Sequence, residues 1–316
     1  MLRIDELSSD RYGELAALIG ATSASWQPTV DEIAQMWSSE PKHVQGLHML
    51  AYEGDAVVGY GGAANLRYEF ESGRFNFQVR VLPTHRHRGI GQALAARLDT
   101  WLHERAPEEL VAQTDGREDG ERFALARGFV VIERRYEQRV SPSTFDASPG
   151  AIACRDAARS CAKQNVRLVT LETLRAEGFA DLERKLYELH NVVMDDEPTN
   201  LVGEPMRFED WCEQFLAPHD PAGAIIAMYT DQLVGLTIHW PESNVILIAA
   251  TGTLAAWRGR GVAKALKLAS VDYARSIGLP LRTMNNAANE PILRLNQLCG
   301  FERVATFSRW QRRPAF

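Results

Sequence analysis

Residues 75–81 alternate, with Phe75, Phe77, Val79 and Val81 apolar and Asn76, Gln78 and Arg80 polar, the period of two that marks a half-buried strand. After a short basic turn, apolar residues recur at Ile90, Leu94, Leu98 and Trp101, which lie on one face of a helix. The order returns later in the chain. The unbroken apolar run from Val245 to Ala250 predicts a strand covered on both faces, and Val262, Leu266, Tyr273 and Ile277 predict a second amphipathic helix. Earlier in each half, strand patterns at Arg3–Leu7 and Arg167–Leu171 lead into helical segments and then into two strands joined at an acidic turn, Asp55 or Asp231. Between the halves, Ser141–Gly150 collects Ser, Pro, Asp and Gly as linkers do, and a helix is predicted over Ala151–Lys163 before the second copy begins near Val166.

The repetition extends to residue identity. Arg86-His87-Arg88-Gly89-Ile90-Gly91 and Arg258-Gly259-Arg260-Gly261-Val262-Ala263 stand 172 positions apart, and the same offset carries Gly128-Phe129 onto Gly300-Phe301. Each of the two motifs falls between a strand and an amphipathic helix. A helix start leaves backbone N–H groups unpaired and carries partial positive charge, so small residues there let an anion reach the backbone. Gly89 and Gly91, or Gly261 and Ala263, provide that access, and Arg86, Arg88, Arg258 and Arg260 add charge suited to a diphosphate. A P-loop would need a Gly-Lys-Ser/Thr ending, and a Rossmann turn a third glycine where Leu94 and Lys264 stand, so neither fits.

Val79-x-Val81-x-Pro83-x-x-Arg86-x-x-Gly89-x-Gly91 resembles the acetyl-CoA-binding motif of the GCN5-related N-acetyltransferases (GNAT), and Thr251-x-Thr253-x-x-x-x-Arg258-x-x-Gly261-x-Ala263 is similar to it. The Gly-Phe pairs resemble the end of that family's fourth helix. In copy two, Thr283, Asn285, Asn289 and Asn296 resemble the asparagine-rich form of tandem members. The resemblance implies an α/β fold with a mixed sheet, as two tandem acyl-CoA N-acyltransferase domains over residues 1–142 and 165–316 with a linker at 143–164. It implies acetyl-CoA as acyl donor, held by Val79, Val81, Arg86, His87, Arg88, Gly89, Ile90 and Gly91 in copy one. In copy two it implies Thr251, Thr253, Arg258, Gly259, Arg260, Gly261, Val262, Ala263, Asn289 and Asn296. It further implies a sheet splayed after its fourth strand and direct attack by an amine on the thioester. A free alkyl amine has a pKa of ~10.4, so deprotonating it at neutral pH costs about 4 to 5 kcal/mol without help.

Many family members place a proton-donating tyrosine four residues before the helix-ending glycine; this chain has Ala124 and Asn296. Asn296 can hydrogen-bond a thioester or amide but cannot supply a proton. Glu242 and Asp196 are the carboxylates nearest in sequence to a base role. Asp195, Asp196 and Glu197 form an acidic stretch suited to drawing in a cationic acceptor. In copy one, Trp26, Tyr60 and Tyr68 are candidate walls of an acceptor pocket. The acidic stretch and the asparagines favour copy two for catalysis, with copy one binding acetyl-CoA. Acetylation of a small primary amine is the leading expectation; a peptide or protein acceptor, or acyl-CoA binding without turnover, are its alternatives.

A net charge of −6 and the absence of a basic run argue against nucleic acid. The charged start Met-Leu-Arg-Ile-Asp-Glu and the shortness of the apolar runs argue against a secretory signal and a membrane span, which makes the cytoplasm the expected compartment. Four scattered cysteines and eight scattered histidines give no disulfide framework and no metal-ligand spacing, so no metal is expected. A monomer and a homodimer both remain open.

Overall fold

A computed structural model describes residues 1–23, 26–38, 44–65, 73–198, 206–217 and 219–314. Tyr68 lies outside them. Two compact units emerge, one formed by residues up to Arg134 together with those from Ala305 onward, the other running from Arg135 to Val304.

The first unit contains β1 (Leu2–Glu6), α1 (Tyr12–Thr22), α2 (Val30–Ser38), β2 (Gly46–Glu53), β3 (Ala56–Asn65), β4 (Arg74–Val81), α3 (Ile90–His103), β5 (Glu109–Thr114) and α4 (Glu118–Ala126). Strand β6 (Val130–Val140) then carries the chain into the second unit. That unit continues with α5 (Pro142–Asp146), α6 (Pro149–Lys163), β7 (Val166–Thr170), α7 (Leu171–Ala176) and α8 (Leu182–Asp195). Next come α9 (Phe208–Asp210), which runs into a π-helical turn over Trp211–Leu216, then β8 (Ala224–Tyr229), β9 (Gln232–Pro241) and β10 (Ile246–Thr253). Helix α10 (Val262–Ile277), β11 (Leu281–Asn286), α11 (Glu290–Leu298) and β12 (Glu302–Arg312) complete the chain.

Within the first unit the strands lie in the order β1-β2-β3-β4-β5-β12, and within the second β6-β11-β10-β9-β8-β7. The parallel pairs, β4 with β5 and β10 with β11, are those bridged by a helix, as a parallel connection requires. Strand β12 pairs antiparallel with β5, and β6 with β11. Since β6 and β12 stand 172 residues apart in the repeat, each copy's final strand completes the sheet of the other half.

Helix α3 buries Ile90, Leu94 and Leu98 against Phe75 and Phe77 of β4 and Trp310 of β12, as the helical spacing predicted. The opposite face of the first sheet is covered by Leu15, Leu18 and Ile19 of α1. In the second unit α10 packs Val262, Leu266 and Tyr273 into one core, and α8 packs Leu186, Leu189 and Val193 into another across the sheet. Two expectations need correction. Ile277 is 43% exposed, because Gly278 ends α10 in a left-handed cap there. In the run Val245–Ala250, Leu247 and Ala249 are only half-buried, so coverage is complete on one face alone.

Candidate functional site

The parallel pairing of β4 with β5 holds for three residues, Arg74 with Glu109, Phe75 with Leu110 and Asn76 with Val111, and then stops. Beyond Asn76 the strands part, and β4's main-chain groups on that side have no ladder partner. Strand β10 leaves β11 in the same way after Ile248, the third pair. Each gap opens toward the helix start that follows the strand.

At both helix starts a glycine occupies the N-cap in left-handed backbone, Gly89 at φ 80° and Gly261 at φ 91°, a conformation that disfavours any residue with a Cβ. The first helical hydrogen bond runs from the Ala93 N–H to the Gly89 carbonyl, or from Ala265 to Gly261. The N–H groups just before it therefore have no partner within the helix, and both helix starts have the backbone geometry that an anion cradle requires.

In the first unit this cradle opens into a cavity of about 690 Å³. Val79 and Val81, Arg86, His87, Gly89 and Gly91 border it on the helix side, with Phe123 and Ala124 of α4. A Cβ on Gly91 would lie 3.4 Å from Phe123 and 3.6 Å from Val79, so any larger side chain would occupy the space beside the cradle. The residues present thus fit a diphosphate-bearing ligand whose arm enters between the strands. Arg86 donates from Nε to the Val81 carbonyl at 3.3 Å and has Asp119 3.7 Å from Nη1. His87 also stands 3.6 Å from Asp119, whose carboxyl is held below its ordinary value, chiefly by a hydrogen bond from Arg122. Arg88 turns instead to Glu53, and the Ile90 side chain is buried, so of these two only the main chain remains at the cradle.

The cavity also touches the opposite face of the sheet. Gln78 and Arg80, which alternate with Val79 and Val81 along β4, line it together with Thr22, Ser23 and Gln113. A space bordered by both faces of one strand must pass through the sheet, and the parting of β4 from β5 is the passage. Sequence reasoning placed Arg80 on the polar face of the strand but assigned it no role. Trp26 and Tyr60 do not border this space: Trp26 packs with α1, and Tyr60 is buried with its hydroxyl 2.7 Å from Nδ1 of His48.

The second unit treats the same positions differently. Arg258 is ion-paired with Asp196, Glu197 is 2.9 Å from Arg135, and the Pro198 carbonyl accepts from Nδ2 of Asn286. The acidic stretch therefore folds back onto the motif arginine, and among the described residues its first member, Asp195, has no ion-pair partner. Arg260 stacks over the Trp257 ring at 4.8 Å, and Gly259 has open space. A Cβ on Gly261 would meet Cβ of Ala157 at 3.2 Å, because α6 lies against this turn. Val262 is core, Ala263 is half-buried, and Thr251 shares a 2.8 Å hydrogen bond with Thr237 while Thr253 is half-buried at the strand end. Position 252, the repeat counterpart of Arg80, is glycine, and a Cβ there would lie 2.6 Å from Cβ of Val193 on α8.

The second unit's remaining candidates are engaged structurally. Fully buried Asn296 donates from Nδ2 to Gln138 and to Asn285, each at 3.0 Å, while Asn289 stands at the start of α11 without a side-chain capping bond. Glu242 is paired with Arg282, 2.9 Å from Nε, and Glu137 approaches the same guanidinium at 3.8 Å. Among the described residues no group of three His, Cys, Asp or Glu is placed to hold a metal, and no helix is long and apolar enough to cross a membrane.

A model described as the acetyltransferase (GNAT) family matches residues 9–129 and 185–301. Among solved structures, a tandem GNAT protein from the clavulanic acid biosynthesis pathway matches at 18% identity and TM-score 0.74, covering all of both chains. A GCN5-related N-acetyltransferase from Sphaerobacter thermophilus matches at 18% identity and TM-score 0.72, over 100% of this chain and 97% of that one. A GCN5-related glucosamine N-acetyltransferase region of a fungal multi-domain GH3 β-N-acetylglucosaminidase matches at 10% identity and TM-score 0.68, over 99% of this chain and 38% of that one. No curated relative matches the sequence. At these identities the structures establish the fold alone.

Proposed function

The chain belongs to the acetyltransferase (GNAT) family, whose two matches fall one in each unit, and on that premise we propose that it moves the acetyl group of acetyl-CoA to the primary amine of a small molecule. The reading assigns the cofactor to the first unit's cleft, with the reaction in the cytoplasm. The observation that carries it is the cavity through the parted sheet, which joins a glycine-lined helix start to a polar mouth on the other face. Acetyl-CoA supplies an activated thioester carbonyl. The chain's part is to seat the diphosphate on the N–H groups after Gly89, with Arg86 beside it, and to offer unpaired main-chain donors of β4 to the developing oxyanion. Val79, Val81 and Phe123 would give the arm an apolar lining. With Ala124 where many relatives carry a tyrosine, protonation of the leaving thiolate falls to water, which also takes the proton that the attacking amine gives up.

The sequence favoured catalysis in copy two, and one observation keeps that second reading. Strand β10 has a register shift against β9 between Ile248 and Ala250, which leaves Ala249 outside the ladder beside its own gap. Against it stand Asp196 on Arg258, Ala157 on Gly261 and Val193 on Gly252.

Titration calorimetry with acetyl-CoA, together with thiol release across a panel of small amines and peptides, tests both readings. We expect Gly91→Leu to abolish binding and turnover and Ala263→Leu to retain them. The reverse result moves the site to the second unit, and peptide-only turnover changes the acceptor class. Wild-type protein that binds no acetyl-CoA would remove the proposal altogether.

A further inference from the structure

The far mouth of the first unit's cavity is cationic in a specific way. Arg80 lies on the strand face opposite Val79 and Val81 and borders the cavity with Gln78, Gln113, Thr22 and Ser23. Its one hydrogen bond is long, 3.5 Å from Nη1 to the Thr22 hydroxyl, and among the described residues no carboxylate stands within ion-pairing distance. Asp115, the acid whose field it feels, is itself paired with Arg117 at 2.8 Å. Burial pulls the guanidinium below its ordinary value, only partly opposed by Tyr60 and Asp115. A partly desolvated guanidinium with no carboxylate paired to it among the described residues, facing open space, is costly unless something anionic arrives; its planar fork suits carboxylate or phosphate.

The second unit shows what the same position looks like when no such group is received. There the counterpart of Arg80 is Gly252, and Val193 packs onto it; Gln78 and Gln113 correspond to Ala250, which is core, and Asn285, which is bonded to Asn296. The cationic mouth is thus a property of one copy and not of the shared scaffold.

We propose that the acceptor amine carries an anionic group, a carboxylate or a phosphate, and that Arg80 binds this group at the mouth opposite the coenzyme A diphosphate. The proposal rests on the first unit's cleft being the acetyl-CoA site. It names a substrate class, a small zwitterionic or phosphorylated amine, and makes Arg80 the residue that selects it. The amine is then presented toward β4's free main-chain donors, while the anion stays on the far side of the sheet.

Matched pairs test it in the full-length protein: an α-amino acid against its amide, and an amino sugar against its 6-phosphate. Each is measured for binding to the coenzyme A-loaded protein by calorimetry and for steady-state acetylation. Wild-type protein should prefer the anionic member of one pair, and the pair that shows the preference identifies carboxylate or phosphate. Arg80→Gln should raise Kd and KM for that member by roughly 10- to 100-fold with little change in kcat, and leave its neutral partner untouched. Arg80→Lys should recover part of the loss. Acetyl-CoA affinity, measured on the same variants, should not move, which also shows that they fold. If acetyl-CoA binds normally but Arg80→Gln leaves the discrimination unchanged, or no anionic amine binds the loaded wild type, this proposal fails while the cofactor assignment stands. If wild-type protein does not bind acetyl-CoA, the cofactor assignment has failed first.

Discussion

Lys267 on α10 is 1% exposed, and its ammonium lies 4.7 Å from the centre of the Phe301 ring, beside Cys154 and Cys299, whose sulfurs are 3.6 Å apart. Burial lowers its pKa from 10.5 to about 8, with the neighbouring thiols opposing the shift. At 1.36 kcal/mol per unit, that drop corresponds to about 3 kcal/mol of destabilisation when the lysine is charged in both states. The sign follows from proton counts. Below pH 8 folded and unfolded chains both hold the proton, and the full penalty applies. Between pH 8 and 10.5 the unfolded chain holds the proton and the folded one has released it, so stability rises with pH until the penalty is gone. Replacing Lys267 with Met keeps the length and removes the charge, at the loss of a cation–π contact worth about 1 to 2 kcal/mol. The variant should therefore be more stable than wild type at pH 7 by about 1 to 2 kcal/mol, a rise of roughly 2–8 °C in the affected transition. That advantage should shrink between pH 8 and 10, as the folded lysine releases its proton and the charge penalty and the cation–π contact are lost together. Calorimetric scans of both proteins at pH 7, 8, 9 and 10 decide the matter, because the difference between them cancels every other titrating group. A difference that does not vary with pH, or a methionine variant that is the weaker protein at pH 7, refutes the reasoning.

His87 holds φ at 62°, where the second copy has Gly259 at φ 73°; His87→Gly should relieve left-handed strain of about 1 kcal/mol and raise the melting temperature by roughly 1–3 °C, with no rise counting against it. Asp196→Asn should free Arg258 and, since the ion pair is about half exposed on each side, improve any coenzyme A binding by the second unit by no more than about 5-fold. A much larger gain in calorimetry would show that the acidic stretch does more than neutralise one arginine. Asn296→Ala should cost about 2–3 kcal/mol, because it removes the donor to buried Gln138 and to half-buried Asn285, which keeps only a longer bond from Thr283. Acetyl-CoA affinity in the first unit should be unchanged, and its loss would contradict the structural role given to this asparagine.

The parts of this molecule visible in sequence are those fixed by neighbours along the chain. A strand-to-helix turn with glycine at the cap needs only local backbone geometry, so both motifs, their helices and the fourth strands were placed from spacing. The exchange of β6 and β12 was not visible, because both strands show a similar alternation and an antiparallel partner demands nothing more specific of either. Partner choice in ion pairs was hidden too. Asp196, Glu197 and Glu242 read as free carboxylates, and the fold gives each an arginine, Arg258, Arg135 and Arg282.

One signal was used only in part, the difference between the copies. Aligning them at the offset of 172 sets Arg80 against Gly252, His87 against Gly259 and Ala124 against Asn296. At each position the structure gives a physical reason for the change: a helix packed onto bare backbone, a left-handed turn relieved of strain, a buried amide network in place of a cavity wall. In the second unit two of these changes fill space that the first leaves open. Filling such space gains packing and sacrifices access, which a duplicated fold can tolerate only while the other copy keeps its cleft. A first unit with an open passage and an arginine that has no carboxylate partner among the described residues, and a second whose equivalent positions are packed and bonded, fit the proposed assignment of the cofactor to the first unit.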